Sequence, residues 1–289
     1  MSQPKILIQL DSDPQASTFD GVVAVDAGVE HLFRHQAVGP DAVQDLVYGA
    51  MFTRGVEDLR NTAVFVGGSN VAAGEALLKK VRECFFGPMR VSVMLDANGA
   101  NTTAAAAVLA AARHVDLKNA KALVLAATGP VGSRAVRLLA REGASVRVAS
   151  RGLARAEATC VSIREAVDGA TLTAVATDTP ESLRAAVADV NVVIAAGAAG
   201  VELLSDEDRR SCATLVTAID LNAVPPVGLA GIEVTDKAVV RDGVACYGAI
   251  GVGGTKMKIH KAAIRRLFES NDLVLDAEEI FEIGRELEG

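Results

Sequence analysis

Two glycines three residues apart, Gly129 and Gly132, follow directly on an apolar run at residues 122–126. After a strand, the first of such a pair lets the backbone approach a diphosphate. The second lets the following helix pack tightly on that strand. Pro130 suits the first turn of a helix, where its missing N–H is not needed. The N–H groups of that turn can then face phosphate. Thr128, Gly129, Pro130, Val131 and Gly132 thus form a candidate dinucleotide cradle of the GxGxxG type. Its first glycine is replaced by Ala127, a change that is tolerable if φ there is negative. The next predicted strand ends Ala149-Ser150-Arg151. A carboxylate at that point would bind a ribose 2′-hydroxyl and repel a 2′-phosphate. Instead Ser150 can donate a hydrogen bond and Arg151 a charge-assisted one, with Arg155 one turn further on. The nucleotide expected is NADP.

The elements that must position these residues alternate along the chain. The predicted strands at 122–126, 146–150, 172–176, 192–196 and 215–219 are separated by helices at 130–142, 153–167, 180–187 and 206–211. A hairpin around Asp242-Gly243 follows. A glycine-rich turn at 248–254 is expected to lead into a helix at 255–268, and a last helix spans 276–287. Before residue 116, strands at 5–10, 31–33, 63–66 and 91–95 alternate with helices at 19–27, 42–53, 71–86 and 104–115, the last capped by residues 101–103. This is an α/β pattern of two open, mostly parallel domains, the central one of Rossmann type. A polar stretch at 116–121 marks the boundary between them.

Composition narrows the function. Half of the 289 residues are hydrophobic, 22% are charged and the net charge is −7, which suits a globular chain and disfavours nucleic acid as a partner. No apolar stretch reaches the ~18 residues that a membrane helix needs. The first ten residues lack a signal-peptide layout. The four cysteines are scattered without a CxxC spacing, as expected of a cytoplasmic protein. His31 and His35 lack a third ligand, so no metal site is expected.

Six segments together carry a resemblance: Ala63-Val-Phe-Val-Gly-Gly68, Phe85-Phe-Gly-Pro88, Met94-Leu-Asp-Ala-Asn-Gly-Ala-Asn-Thr-Thr-Ala104, Thr128-Gly-Pro-Val-Gly132, Asn222-Ala-Val-Pro-Pro226 and Gly251-Val-Gly-Gly-Thr-Lys-Met-Lys-Ile-His260. Across nearly its whole length the chain resembles the NADP-dependent methylene-tetrahydromethanopterin/methylene-tetrahydrofolate dehydrogenases of bacterial one-carbon metabolism. The resemblance implies a pterin domain over residues 1–115, completed by 255–289, facing an NADP domain over 116–254 across a cleft. It also implies homo-oligomers, with trimers as the family expectation, and oxidation of a methylene bridge to a methenyl cation with formation of NADPH.

That reaction asks little of acids, bases or metals. The cation is delocalised over N–C–N of the substrate, so catalysis is mainly orientation of the methylene carbon against the nicotinamide. Lys256, placed just past the glycine-rich turn, is the candidate catalytic residue, through a hydrogen bond to the pterin ring. His260, four residues on, shares its helical face and is a further candidate to touch the substrate. Asp20, Asp96, Asn98, Asn101 and Thr102 are candidates for the donor and acceptor edge of the pterin. Asn101 and Thr102 are also natural helix caps. Ala196, Gly197 and Ala198 end a strand with side chains small enough to admit the nicotinamide ribose, and Asp220 and Asn222 follow the next strand as candidates to meet the nicotinamide or the pterin. Tetrahydromethanopterin is favoured over tetrahydrofolate. A shikimate-dehydrogenase-like reductase would need a catalytic Lys–Asp pair near the N-terminus, where Lys5 is the only lysine before Lys79.

Overall fold

The computed structural model describes residues 3–289. Its elements run β1 (Ile6–Asp11), α1 (Thr18–Asp26), β2 (His31–His35), α2 (Pro40–Met51), β3 (Thr62–Gly67), α3 (Val71–Glu83), β4 (Ser92–Leu95) and α4 (Ala100–Ala112). They continue with β5 (Lys121–Leu125), α5 (Pro130–Arg141), β6 (Ser145–Ser150), α6 (Leu153–Ala166), β7 (Leu172–Ala176), α7 (Pro180–Val187), β8 (Val192–Ala195), α8 (Asp206–Ser211) and β9 (Thr217–Asp220). The last are β10 (Lys237–Arg241), β11 (Val244–Tyr247), α9 (Ala249–Arg266), β12 (Val274–Leu275) and α10 (Ala277–Glu286).

Local chemistry accounts for many of these boundaries. Asn70 caps α3 by accepting from Ala73 N at 3.0 Å. Thr179 and Ser182 form a capping box at α7, with Pro180 in its first turn. A second box, Asp276 with Glu279, starts α10. Such caps satisfy helix N–H groups that have no partner within the helix. β3 and β4 are buried at every position, as strands covered on both faces must be.

The chain divides into two compact units. One comprises Met1–Thr102 with Met257–Gly289, and the other Thr103–Lys256. The chain therefore crosses from one to the other within α4 and again within α9. The first unit holds a five-stranded sheet in the order β12-β4-β3-β1-β2, with every pair parallel. The second holds seven strands in the order β10-β11-β9-β8-β5-β6-β7. These are parallel except for the β10–β11 hairpin. From β7 to β11 this is the doubly wound order 3-2-1-4-5-6, whose ligand crevice opens where the winding reverses, beyond the ends of β5 and β8. The first sheet has the related order 2-1-3-4-5, with its reversal at β1 and β3.

The structure departs from the sequence reading at the glycine-rich segment. No turn fills residues 248–254, because α9 begins at Ala249 and takes in Gly251, Gly253 and Gly254. The reason is close packing. A β carbon on Gly248 would lie 2.1 Å from the carbonyl oxygen of Glu233, and one on Gly251 would lie 1.7 Å from that of Asp236. The 233–237 backbone presses on the start of the helix where only glycine leaves room. α4 also begins earlier than expected, at Ala100, and the two-residue strand β12 is too short to show a periodicity. The four cysteines are free and buried. No helix among the described residues is long and apolar enough to cross a membrane.

Candidate functional site

In the second unit the cradle lies at the end of β5. Ala127 N donates to Ala149 O at 2.9 Å and Gly129 N to Ala126 O at 3.2 Å. Gly129 is the N-cap of α5 and Pro130 starts it, with no side chain capping the helix. The first N–H groups of α5 are thus left to an anion. A β carbon on Gly132 would lie 2.7 Å from Ala126 O and 2.8 Å from Ala127 Cα, so helix and turn meet there only through glycine. A β carbon on Gly129 would meet nothing closer than 3.5 Å. The surrounding protein does not demand glycine at that position, whereas an approaching diphosphate would. The left-handed residue of the turn is Ala126, at φ 54°. Ala127 is fully buried and is not among the positive-φ residues.

Ser150 and Arg151 stand at the end of β6. Ser150 is buried, and its Oγ accepts from Gly152 N at 3.3 Å, which leaves the hydroxyl proton for donation. Arg151 is exposed just beyond the strand. Arg155 Nε comes within 3.6 Å of the β-carbon position of Gly152. Beyond β8, Ala196 N donates to Leu125 O at 3.1 Å, which brings residues 196–198 beside the cradle. A β carbon on Gly197 would press on Leu203 Cδ1 at 2.7 Å.

Asp220 and Asn222 organise the loop after β9. Asp220 accepts from Asn222 N at 3.0 Å and from Leu229 N at 2.9 Å. Asn222 accepts from Val224 N and donates to Pro226 O. Burial pushes the Asp220 carboxyl above its ordinary value of 3.8, while backbone N–H groups of Leu229, Asn222 and Gly228 pull it down. The folded protein therefore holds this proton to higher pH than the unfolded chain does. The Asp220 contribution to stability should fall as pH rises from 3.8 through the raised value. Melting temperatures of the protein and of Asp220→Asn, compared between about pH 3.5 and 7, should show the difference shifting against the parent as pH rises. A pH-independent difference would sink the assignment.

In the first unit the predicted pterin residues gather around the ends of β3 and β4. Asp96 is buried. Its carboxylate accepts from the N–H groups of Asn101 and Thr102, each at 3.0 Å, and from Thr102 Oγ1 at 2.7 Å. The expected capping by Asn101 or Thr102 is reversed: Asp96 holds the start of α4, because its strand-end position aims the carboxylate at those donors. Asn101 Nδ2 donates to Leu95 O at 2.6 Å and to Asp276 Oδ1 at 2.8 Å. Asn98 has φ 55°, and its N–H reaches Gly68 O at 2.6 Å. Asp20 lies in the first turn of α1, where Ser17 Oγ accepts from its N–H at 3.3 Å. Its Oδ2 is 3.4 Å from the β-carbon position of Gly67. The buried His260 ring stacks on Phe65 at 5.6 Å, with Nδ1 3.9 Å from Asp96 Oδ2. Lys256 is half-buried and stands two turns inside α9, one turn before His260.

Several supporting residues escaped the sequence reading. Asp11 is fully buried and accepts from Asp13 N and Ser17 N, both at 2.9 Å. Asp13 in turn holds Ser69 N and Oγ, both at 2.9 Å. Their position at the end of the first strand was the available signal. Gly68 has φ 100°, and a β carbon there would lie 2.4 Å from Ser12 Oγ. His31 and His35 fall on the edge strand β2, about 13 Å apart at four strand residues, too far to share a metal. Among the described residues no group of three or more His, Cys, Asp or Glu is placed to hold a metal ion.

Comparison with known proteins places this geometry among relatives. The family model described as methylene-tetrahydromethanopterin dehydrogenase, N-terminal, matches residues 18–98. A bifunctional protein MdtA of Methylorubrum extorquens is 44% identical over 285 residues, covering 98% of this chain and 99% of that protein. An NAD(P)-dependent methylenetetrahydromethanopterin dehydrogenase of the same organism is 32% identical over 295 residues, with 98% and 99% covered. Among solved structures, shikimate 5-dehydrogenase from Listeria monocytogenes, in complex with shikimate and NAD, superposes with a TM-score of 0.52 at 16% identity. That match covers 98% of this chain and 96% of the other, and at this identity the likeness is one of fold.

Proposed function

Because the chain belongs to the methylene-tetrahydromethanopterin dehydrogenase family, we propose that it passes a hydride from the methylene group of a methylene-tetrahydropterin to NADP, leaving the methenyl cation and NADPH. Methylene-tetrahydromethanopterin is the favoured substrate and methylene-tetrahydrofolate the alternative. The observation that carries the reading is the cradle at residues 126–132, where Gly132 alone permits the approach of helix to turn and the start of α5 is uncapped. These residues fit a dinucleotide diphosphate.

Bound there, NADP supplies a hydride acceptor at C4 of the nicotinamide. Thr128 to Gly132 hold the diphosphate, and Ser150 and Arg151 read the 2′-phosphate. Ala196, Gly197 and Ala198 leave room for the nicotinamide ribose, and Asp220 and Asn222 fix the loop beside it. In the first unit Asp20, Asn98 and Asn101 meet the pterin edge, while Asp96, Thr102 and His260 hold that surface in place. Lys256 donates to a pterin oxygen and orients the ring. The working form is a cytoplasmic homo-oligomer, with a trimer as the first expectation, a reading supported by the family resemblance and by the four free cysteines.

Steady-state kinetics with both methylene-pterins and both nucleotides tests the reading. The highest kcat/KM is expected for methylene-tetrahydromethanopterin with NADP. A preference for the folate would overturn the substrate choice, and no NADPH with either pterin would overturn the activity. Lys256→Ala should lower kcat by about 10- to 100-fold, the order lost when a reactant is misplaced by ~1 Å, with KM for NADP within about twofold. Unchanged turnover would remove Lys256 from the mechanism.

A further inference from the structure

Two carboxylates at the end of β1 hold the neighbouring loops, each in a different direction. Asp11 is fully buried and takes the N–H groups of Asp13 and Ser17, so the chain that leaves the strand is folded back on it. Ser17 accepts from Asp20 N, which fixes the first turn of α1. Asp13 reaches the other way. It is half-buried, and its two oxygens accept separately from the backbone N–H and the hydroxyl of Ser69, each at 2.9 Å. Ser69 stands in the segment that leads from β3 to α3.

What Asp13 holds is the support of Asn98. Gly68, next to Ser69, is left-handed, and a β carbon there would overlap Ser12 Oγ, so this segment lies directly against the chain beside Asp13. The Gly68 carbonyl accepts from Asn98 N at 2.6 Å. Asn98 is exposed and has φ 55°, a conformation that asparagine tolerates better than most residues. With its side chain in the open, its placement rests on its backbone, and its N–H is fixed by Gly68. The Asp13–Ser69 pair is made near the surface, where water competes and the net gain in stability is small. Two bonds from one carboxylate nevertheless fix both the distance and the orientation of the 68–69 segment.

Resting on the reading that Asn98 meets the pterin edge, we propose that Asp13 is a positioning residue for substrate binding. It acts through Ser69 and Gly68 on Asn98 and does not itself touch the substrate. Once the substrate is bound, Asp20, Asn101 and Lys256 still orient the ring. Loss of Asp13 therefore removes binding common to the ground and transition states, which raises KM for the methylene-pterin and leaves kcat in place.

Steady-state kinetics of the full-length protein, with NADP and whichever methylene-pterin turns over, tests this together with thermal melts. Asp13→Ala should raise KM for the pterin about tenfold, the scale of one well-placed hydrogen bond. Its kcat and KM for NADP should stay within about twofold, and its Tm within about 4 °C, of the parent. Asp13→Asn should bring the pterin KM back to within about threefold of the parent, because its amide can accept from Ser69 N and donate to Ser69 Oγ. Ser69→Ala alone should raise that KM about threefold, and adding it to Asp13→Ala should change nothing further, since the two act as one unit. A pterin KM that Asp13→Ala leaves unmoved, or a fall in kcat as large as the rise in KM, overturns the positioning role. So does an unfolded Asp13→Ala accompanied by a parent-like KM in Ser69→Ala. A parent protein that forms no NADPH from either methylene-pterin overturns the proposed activity and this inference with it, whereas turnover with an unmoved KM overturns the inference alone.

Discussion

Arg151→Ala is expected to raise KM for NADP by about 10- to 100-fold and to leave KM for NAD within about twofold. The size follows from hydrogen bonds to charged groups, worth ~1.5–3 kcal/mol each. Arg151 is exposed at the end of β6, so the mutation removes no buried packing. The change should therefore appear in nucleotide selection and not in stability. A guanidinium addresses a phosphate in a fixed fork, so Arg151→Lys should recover only part of the loss. Equal loss for the two nucleotides would show that Arg151 does not read the 2′-phosphate. In that event Arg155, near Gly152, becomes the residue to replace.

Gly251→Ala is expected to destabilise the protein by on the order of 3 kcal/mol. That corresponds to a fall of roughly 6–12 °C in Tm for a unit of this size. The added methyl would lie 1.7 Å from the carbonyl oxygen of Asp236, a backbone atom. Either α9 or the 233–237 segment must move, and the displaced helix carries Lys256 and His260. Gly253 is the internal control. Its β-carbon position has no neighbour within 4 Å, so Gly253→Ala should stabilise the helix by about 0.5–1 kcal/mol through propensity alone. Thermal melts of the two variants side by side check the pair, and similar behaviour in both would refute the close-packing account.

This pair of glycines also shows where sequence reading reaches its limit. Clustered glycines suggest a turn because glycine is a poor helix former. The reason for Gly251 lies in the 233–237 backbone, brought to it only by the fold. The strand, turn and helix of the proposed nucleotide cradle were legible because their signal is local: a strand, two glycines and a proline in one short run. The position of its left-handed residue was not, since Ala126 at φ 54° has the same side chain as Ala127. Asp96 was found as a candidate but assigned differently, because the strand-end geometry that aims it at the N–H groups of Asn101 and Thr102 is not a matter of spacing. Asp11 and Asp13 were visible at a strand end, but their partners lie at Ser17 and Ser69.

The division of the first unit into two stretches of chain bears on how the protein is made. The stretch that forms the second unit, Thr103–Lys256, is continuous and leaves the ribosome whole. The earlier sheet must still wait for β12 to take its edge beside β4, and for His260 to stack on Phe65. N-terminal segments ordinarily fold first during synthesis, but here the opening segment is completed last. A polypeptide released shortly after Lys256 would carry every strand of the seven-stranded sheet and lack β12 at the edge of the other, so premature termination would leave one sheet whole and the other open at β4.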